Sequence, residues 1–449
     1  MKVGVRGLSP AVLVAAACSR ATGAPALVIQ HVSVVDVAEG RSRPDLSVVI
    51  TGGRITAVGR GSEVRVPRGA ALVDGAGKYL IPGLWDMHVH LSQMGEAALG
   101  VLAANGITGV RDMGGDFREI AAWRRRIREG SLVGPRIVAA GPRLDGVPAK
   151  PVVDRWVIAS TAEAIRAVDS LAAMKVDFIK VYEGVPRDAF FALARAARAK
   201  GLVFAGHVPA GVSAAEASDS GQKSIEHIGF LPRTCLVMFD PQAIAAHVPV
   251  PSICRGEGLD SLFRRLVHNG TWLVPTVVSF RGFVVAADSG AAPDSGLQYV
   301  PPSLRARWKE QLAGFPKWPL ATWRSLYQQV ETLTAAMRRD GALILAGTDL
   351  GNPYVYPGRS LHDELASLVE AGYSPAAALR AATLDPARYL GLADSLGTIA
   401  VGHAADLILL DADPVAEIHN TRRIGGVILG GRLLRRGALD SLQLLGRNR

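Results

Sequence analysis

The residues of this 449-residue chain best suited to chemistry begin with His88-Val89-His90. Side chains two apart on a strand project the same way, so both imidazoles could grip one metal ion. Alone, His-x-His is common by chance. Lys180 lies in Asp177-Phe178-Ile179-Lys180-Val181-Tyr182 and by alternation shares a face with Phe178 and Tyr182. A lysine between Ile and Val in a core strand is costly if charged and unpaired. It must snorkel to a rim, be neutral, or be modified. Reaction with CO₂ would turn it into a carbamate, a carboxylate able to bridge two metals. His207 and His227 each stand where an apolar run stops, and Asp349 closes Ala346-Gly347-Thr348-Asp349. Imidazoles and carboxylates together suit Zn²⁺, and Asp349 could also carry protons as the catalytic base.

These residues need a scaffold that gathers strand ends. Eight short apolar strands are expected at Leu84–His90, Ile107–Met113, Arg136–Ala140, Asp177–Tyr182, Leu202–Val208, Ser224–Ile228, Trp272–Val277 and Ala342–Asp349, with helical patterns such as Arg187–Lys200 and Leu326–Arg339 between them. That alternation predicts an α/β fold, a (β/α)₈ TIM barrel over 84–395, whose catalytic groups collect at the C-terminal ends of the strands. A doubly wound open sheet is the competing fold. All six candidate ligands fall on ends of strands one, four, five, six and eight. Tyr182 would point into the pocket as a substrate-binding or packing aromatic, and His362, after the strand-eight loop, could touch substrate. Residues 281–325 form an insertion, either a lid or an ordinary surface hairpin, with Trp308, Trp318 and Trp323 among Arg305, Arg307, Lys309 and Lys317.

At the ends of the chain the pattern changes to short β-branched alternating runs. Residues 24–83 and 396–449 are expected to build one small β-sandwich, with Gly430-Gly431 as a hairpin turn. Residues 1–23 read as a secretory signal peptide: Lys2 and Arg6, an apolar run from Leu8 to Ala17, then Ala21-Thr22-Gly23. Export to the periplasm or medium would follow; the alternative is an apolar N-terminal arm that stays attached. Cys18 after Ala15-Ala16-Ala17 faintly resembles a lipid-attachment box, which would make the protein a lipoprotein. Cys235 and Cys254 could pair in an oxidising compartment or be two unrelated buried thiols. The net charge of +10 is spread along the chain, and with 11 Phe and 8 Tyr there is no basic–aromatic interleaving of the kind nucleic-acid binding needs. A homo-oligomer is expected.

Ile81-Pro82-Gly83-Leu84-Trp85-Asp86-Met87-His88-Val89-His90 closely resembles the first-strand motif of the amidohydrolase superfamily. Phe178-Ile179-Lys180-Val181-Tyr182, Ala205-Gly206-His207-Val208-Pro209, Ser224-Ile225-Glu226-His227 and Ala346-Gly347-Thr348-Asp349 match in order. Ala404–Asp411 resembles the C-terminal strand of the imidazolonepropionase-like and prolidase-like branch. The resemblance implies a binuclear site, usually zinc. His88 and His90 would hold one metal, His207 and His227 the other. Carboxylated Lys180 would bridge them, and Asp349 would bind the first metal and handle protons. The function implied is hydrolysis of an amide or peptide-like C–N bond in a small molecule, a dipeptide or N-acyl amino acid, by a metal-bridging hydroxide. The alternatives are a mononuclear cyclic amide or amidine hydrolase, a lactone or phosphoester hydrolase, and, outside enzymes, an exported binding protein.

Overall fold

The structure is a computed structural model that describes residues 26–147, 155–232, 235, 252–256, 258–288, 294–314 and 317–447. The expected leader and Cys18 lie outside the described residues. The first strands are β1 (Leu27–Asp36), β2 (Arg41–Thr51), β3 (Arg54–Arg60), β4 (Ala71–Asp74) and β5 (Tyr79–Pro82). Their β-branched residues alternate toward a core that includes Ile29, Val34, Val48 and Ile55. The chain end returns to the same sheet through β15 (Leu407–Leu410), β16 (Ile424–Leu429) and β17 (Arg432–Arg435), with β15 antiparallel to β5. One eight-stranded sheet results, in the order β17-β16-β15-β5-β1-β2-β3 with β4 on β1. The expected turn at Gly430-Gly431 joins β16 to β17, and both glycines take positive φ, 53° and 85°. Such a two-residue hairpin needs left-handed backbone at both positions. A helix, Arg436–Leu445, follows this sheet.

Between the two ends strands and helices alternate. β6 (Leu84–Val89), β7 (Ile107–Asp112) and β8 (Arg136–Ala139) are parallel neighbours. β9 (Arg143–Asp145), β10 (Arg155–Val157), β11 (Ile179–Val181), β12 (Phe204–Gly206), β13 (Ser224–Glu226) and β14 (Trp272–Val274) form a second parallel sheet. The amide of Asp177 bonds the carbonyl of Ala139 at 3.0 Å, linking the two sheets. The eighth expected strand is reduced to single bridges, Ile344 to Leu273 and Leu350 to Val89, so this segment bonds β14 on one side and β6 on the other. Gly347 lies so close to His88 that a Cβ there would stand 3.0 Å from its Cβ and 2.7 Å from Val274 Cγ1. β9 and β10 are additions to the expected set.

Alternation sorts the inner strand as expected. Ile179 and Val181 pack outward with Leu144 and Phe190. Phe178 packs inward with Met113, Ala140 and Ala205. The described part of the insertion includes the helices Pro302–Ala313 and parts of Val277–Ala287 and Leu320–Arg339. Trp308 is buried and its indole donates to the carbonyl of Gly351 at 2.7 Å, so the insertion packs on the loop that follows Asp349. Trp318 and Trp323 pack at 4.7 Å between ring centroids. Cys235 and Cys254 are joined in a disulfide.

Candidate metal centre

His88 lies in β6 and His90 just after it, Lys180 lies in β11, His207 follows β12, His227 follows β13, and Asp349 lies between the bridged residues Ile344 and Leu350. The structure brings all six together. The imidazole of His88 lies 5.4 Å from His90 and 4.8 Å from His227, and that of His227 lies 5.1 Å from His207. Asp349 Oδ1 stands 3.4 Å from His88 Nε2 and 3.3 Å from His90 Nε2, while Oδ2 is 3.7 Å from His227 Nε2. The ligand atoms of His88, His227 and Asp349 lie within 4.8 Å of one another.

Each imidazole is held by its other nitrogen. His88 Nδ1 pairs with Glu226 Oε2 at 2.9 Å, His90 Nδ1 with the carbonyl of Gly114 at 3.1 Å, His227 Nδ1 with Thr276 Oγ1 at 2.7 Å, and His207 Nδ1 with the Glu183 carboxylate. Donation from Nδ1 leaves Nε2 with its lone pair free, and outer partners of this kind fix the tautomer of metal-binding histidines. Burial pushes His88 well below the usual imidazole range, lowers His207, and brings His227 down to about 4. These three rings are therefore neutral at physiological pH, the state in which imidazole binds metal. Burial opposes the charge of Asp349, and its carboxyl is lowered only by His88, His227 and His90 facing it as cations; with those rings neutral, a metal cation in their place would keep it ionised.

The residues fit a metal. Nε2 of His88, Nε2 of His207 and Nζ of Lys180 are buried with no hydrogen-bond partner. Each orphaned buried polar atom costs about 1–3 kcal/mol, and three facing one space need something to bind there. Lys180 is fully buried, and burial lowers its ammonium to about 8. Full burial excludes snorkelling, and a value near 8 brings the free amine that CO₂ would modify within reach of neutral pH.

Sequence reasoning missed several residues that build the site. Arg111 is fully buried and fully paired. It bonds the Met87 carbonyl through Nε, Ser224 and Tyr389 through Nη1, and both Glu226 oxygens through Nη2 at 3.0 and 2.9 Å. Asp86 accepts from the amide and hydroxyl of Thr348 at 3.0 and 2.7 Å, fixing the approach to Asp349. Tyr182 lies 4.4 Å from the His207 ring, and Arg143 Nη1 donates to its hydroxyl at 3.4 Å. Arg155 stands 4.5 Å over the Tyr182 ring and pairs with Asp145. His362 is a correction. It is buried, with Nδ1 on Thr421 Oγ1 at 2.9 Å and Nε2 on the Asn105 carbonyl at 3.0 Å. Both ring nitrogens serve packing, and it is not part of the gathered set.

A buried group of imidazoles facing one carboxylate at the ends of parallel strands could hold a metal ion. The family model for the amidohydrolase family matches residues 79–434, and the chain belongs to that family. It is a hydrolase acting on carbon–nitrogen bonds. It is 28% identical over 393 residues to the imidazolonepropionase of Rubrobacter xylanophilus, covering 82% of this chain and 84% of the relative. A bottromycin amidohydrolase structure is similar at a TM-score of 0.72 and 28% identity, covering 94% of this chain and 89% of that one. A Xaa-Pro dipeptidase with bound methionine shares the fold at a TM-score of 0.68 and 23% identity, covering 91% and 100%.

Proposed function

We propose that the protein hydrolyses an amide or peptide-like C–N bond in a small molecule bearing a carboxylate, of the dipeptide or N-acyl amino acid type. The observation that carries this is the convergence of four oriented imidazoles, Lys180 and Asp349 around orphaned ligand atoms. In this reading His88, His90 and Asp349 hold one Zn²⁺ ion and His207 and His227 a second, with a carbamate on Lys180 between them. Bound zinc supplies Lewis-acid activation of water and of the scissile carbonyl. Asp349 takes the proton of the attacking water and returns it to the leaving nitrogen. Tyr182 orients the substrate. Arg143 and Arg155 flank it with Nε groups that are buried and unpartnered, and a guanidinium fork suits a carboxylate.

The reading takes residues 84–395 as a closed (β/α)₈ barrel. Bonds from the 343–350 segment to both β14 and β6 support closure. It also takes 24–83 and 396–449 as a sheet folded over its own core, with residues 1–23 removed on export and the mature chain assembled as a homo-oligomer. A lipid on Cys18 is the alternative fate of the leader. The test of function is a screen of N-acyl amino acids and dipeptides with metal-loaded protein. Turnover of carboxylate-bearing amides, and much weaker turnover of their C-terminally amidated forms, is expected. Equal turnover of both forms would remove the arginine–carboxylate part of the reading. No turnover of any amide would remove it all. A mononuclear cyclic-amide hydrolase is the second reading, favoured by the similarity to imidazolonepropionase over most of the chain. It requires one metal per chain and activity that survives loss of Lys180.

A further inference from the structure

At the opposite end of the parallel strands from the metal ligands lies a cavity of about 520 Å³ between β6–β8, the helix Phe117–Arg128 and the β16–β17 hairpin. That volume is in the range of about 300–1,000 Å³ typical of small-molecule sites. Its walls are apolar: Trp85 and Ile137 at the feet of β6 and β8, Leu396, Leu434, and Val133. Leu392, also in the wall, is 40% exposed. Its rim is cationic. Arg124 is paired with Asp177 at 2.8 Å and Arg136 with Asp406 at 2.7 Å. Arg128 and Arg432 also line it, both exposed at its mouth and without an ion pair among the described residues. The acid in the lining, Asp406, is already engaged by Arg136 and by the amide of Gly430 at 2.7 Å.

We propose that this cavity is a second, non-catalytic site for a medium-chain aliphatic carboxylate. An apolar molecule would fill the walls and leave two arginines without an anion. A small polar anion would satisfy the arginines and leave the apolar lining, Leu392 above all, uncovered. A chain with one terminal carboxylate answers both, its tail along Leu396 and Leu434 and its head between Arg128 and Arg432. Such a ligand touches the feet of the central strands and the terminal sheet together, so its binding adds to the stability of the folded chain by mass action.

The test is calorimetric titration of the metal-loaded full chain with acetate, octanoate and decanoate. Each added methylene buried is worth about 0.8 kcal/mol, so decanoate, two methylenes longer, should bind about fifteenfold more tightly than octanoate. Acetate should show no saturable binding. The Arg128→Ala/Arg432→Ala double variant should bind decanoate at least about fivefold more weakly. Val133→Trp, which narrows the cavity at its apolar wall, should weaken decanoate binding, and its amide turnover should be that of the parent. Metal-stripped parent protein should bind decanoate as tightly as metal-loaded protein. Affinity independent of chain length would overturn the proposal. So would decanoate binding that disappears with the metal, which places it at the catalytic centre, or binding that survives unchanged in both variants.

Discussion

Glu226 offers the sharpest probe of how the site works, because one carboxylate serves two buried partners. Its Oε2 faces His88 Nδ1, and both oxygens accept from Arg111. Ser224 also donates to Oε1 at 2.6 Å. Glu226→Gln keeps the volume but replaces one acceptor with an NH₂ donor. If the amide turns its NH₂ toward His88, Nδ1 must accept, the proton moves to Nε2, and His88 can no longer ligate. If the NH₂ faces Arg111, a guanidinium loses its counter-charge in a fully buried place. Removing one partner of a buried ion pair costs about 3–5 kcal/mol, a large part of the roughly 5–15 kcal/mol that holds a protein folded. Loss of an outer partner of a ligating histidine lowers metal affinity about 10–100-fold. Zinc competition with a chromophoric chelator and thermal unfolding, run on the same variant, should show both losses. The double variant Arg111→Met/Glu226→Leu separates them. Replacing a buried pair with apolar residues is often neutral or stabilising, so stability should recover in part, the Met87 carbonyl and the Tyr389 hydroxyl losing Arg111, while zinc affinity stays low. A double variant that binds zinc as tightly as the parent would refute the tautomer argument, since it too lacks an acceptor for His88 Nδ1.

The other expectations concern the metals, Lys180, Asp349 and Glu364. Chelator treatment should abolish activity and Zn²⁺ restore it; active protein with far less than one metal per chain by elemental analysis would end the metal reading. Lys180→Ala should lose most turnover and recover part of it with a short carboxylic acid, measured as initial rates with and without the acid. Asp349→Asn should lower the rate constant by about 10²–10⁴-fold with little change in melting temperature; a variant within about threefold of the parent on the same amide would show that Asp349 carries no proton. Glu364 is buried and its carboxyl is pushed up to about 8 by that burial, although the amide of Val278 donates to it at 2.8 Å. A raised carboxyl stabilises the fold below its ordinary pKa, and that contribution is lost as pH rises toward 8. Glu364→Gln should flatten this loss, so its melting temperature relative to the parent should rise between pH 5 and pH 9.

The ligand set was legible because strand alternation and the ends of apolar runs are one-dimensional features. His88, His90, Lys180, His207, His227 and Asp349 all mark places where a buried strand turns polar. The same argument that singled out Lys180, a charge inside an apolar strand, applies to Arg111 in Ile107–Asp112 and to Glu226 in Ser224–Glu226. Those two were within reach of the sequence. Glu183, Gly114 and Thr276 were not, because which loop atom meets a given Nδ1 depends on loop conformation that no periodicity encodes. His362 shows the opposite error. It lies near the strand-eight loop in sequence, but the tight approach of Gly358 to Asn105 leads the helix Arg359–Glu370 elsewhere. The sheet shared by both chain ends followed from composition; its strand order did not, since pairing β5 with β15 spans most of the chain.

One feature of the site lies beyond alternation altogether. Glu226 faces the interior with Ser224, so the next residue, His227, should face the outer helices. It faces inward instead, toward His88 and His207. The backbone explains the reversal. His227 has φ 59°, Asp349 61° and Thr276 48°, all in the left-handed region. Left-handed backbone costs an L-residue roughly 1–2 kcal/mol, and such strain persists where surrounding bonds over-determine it. Here they do: the amide of His227 bonds the Val274 carbonyl at 2.8 Å, and that of Asp349 bonds the His88 carbonyl at 2.8 Å. The left-handed step ends each strand and swings the next side chain back over the strand end. Two consecutive residues, Glu226 and His227, can therefore both serve one site, the first by fixing His88 and the second by offering its own nitrogen. A regular strand could supply only one of them.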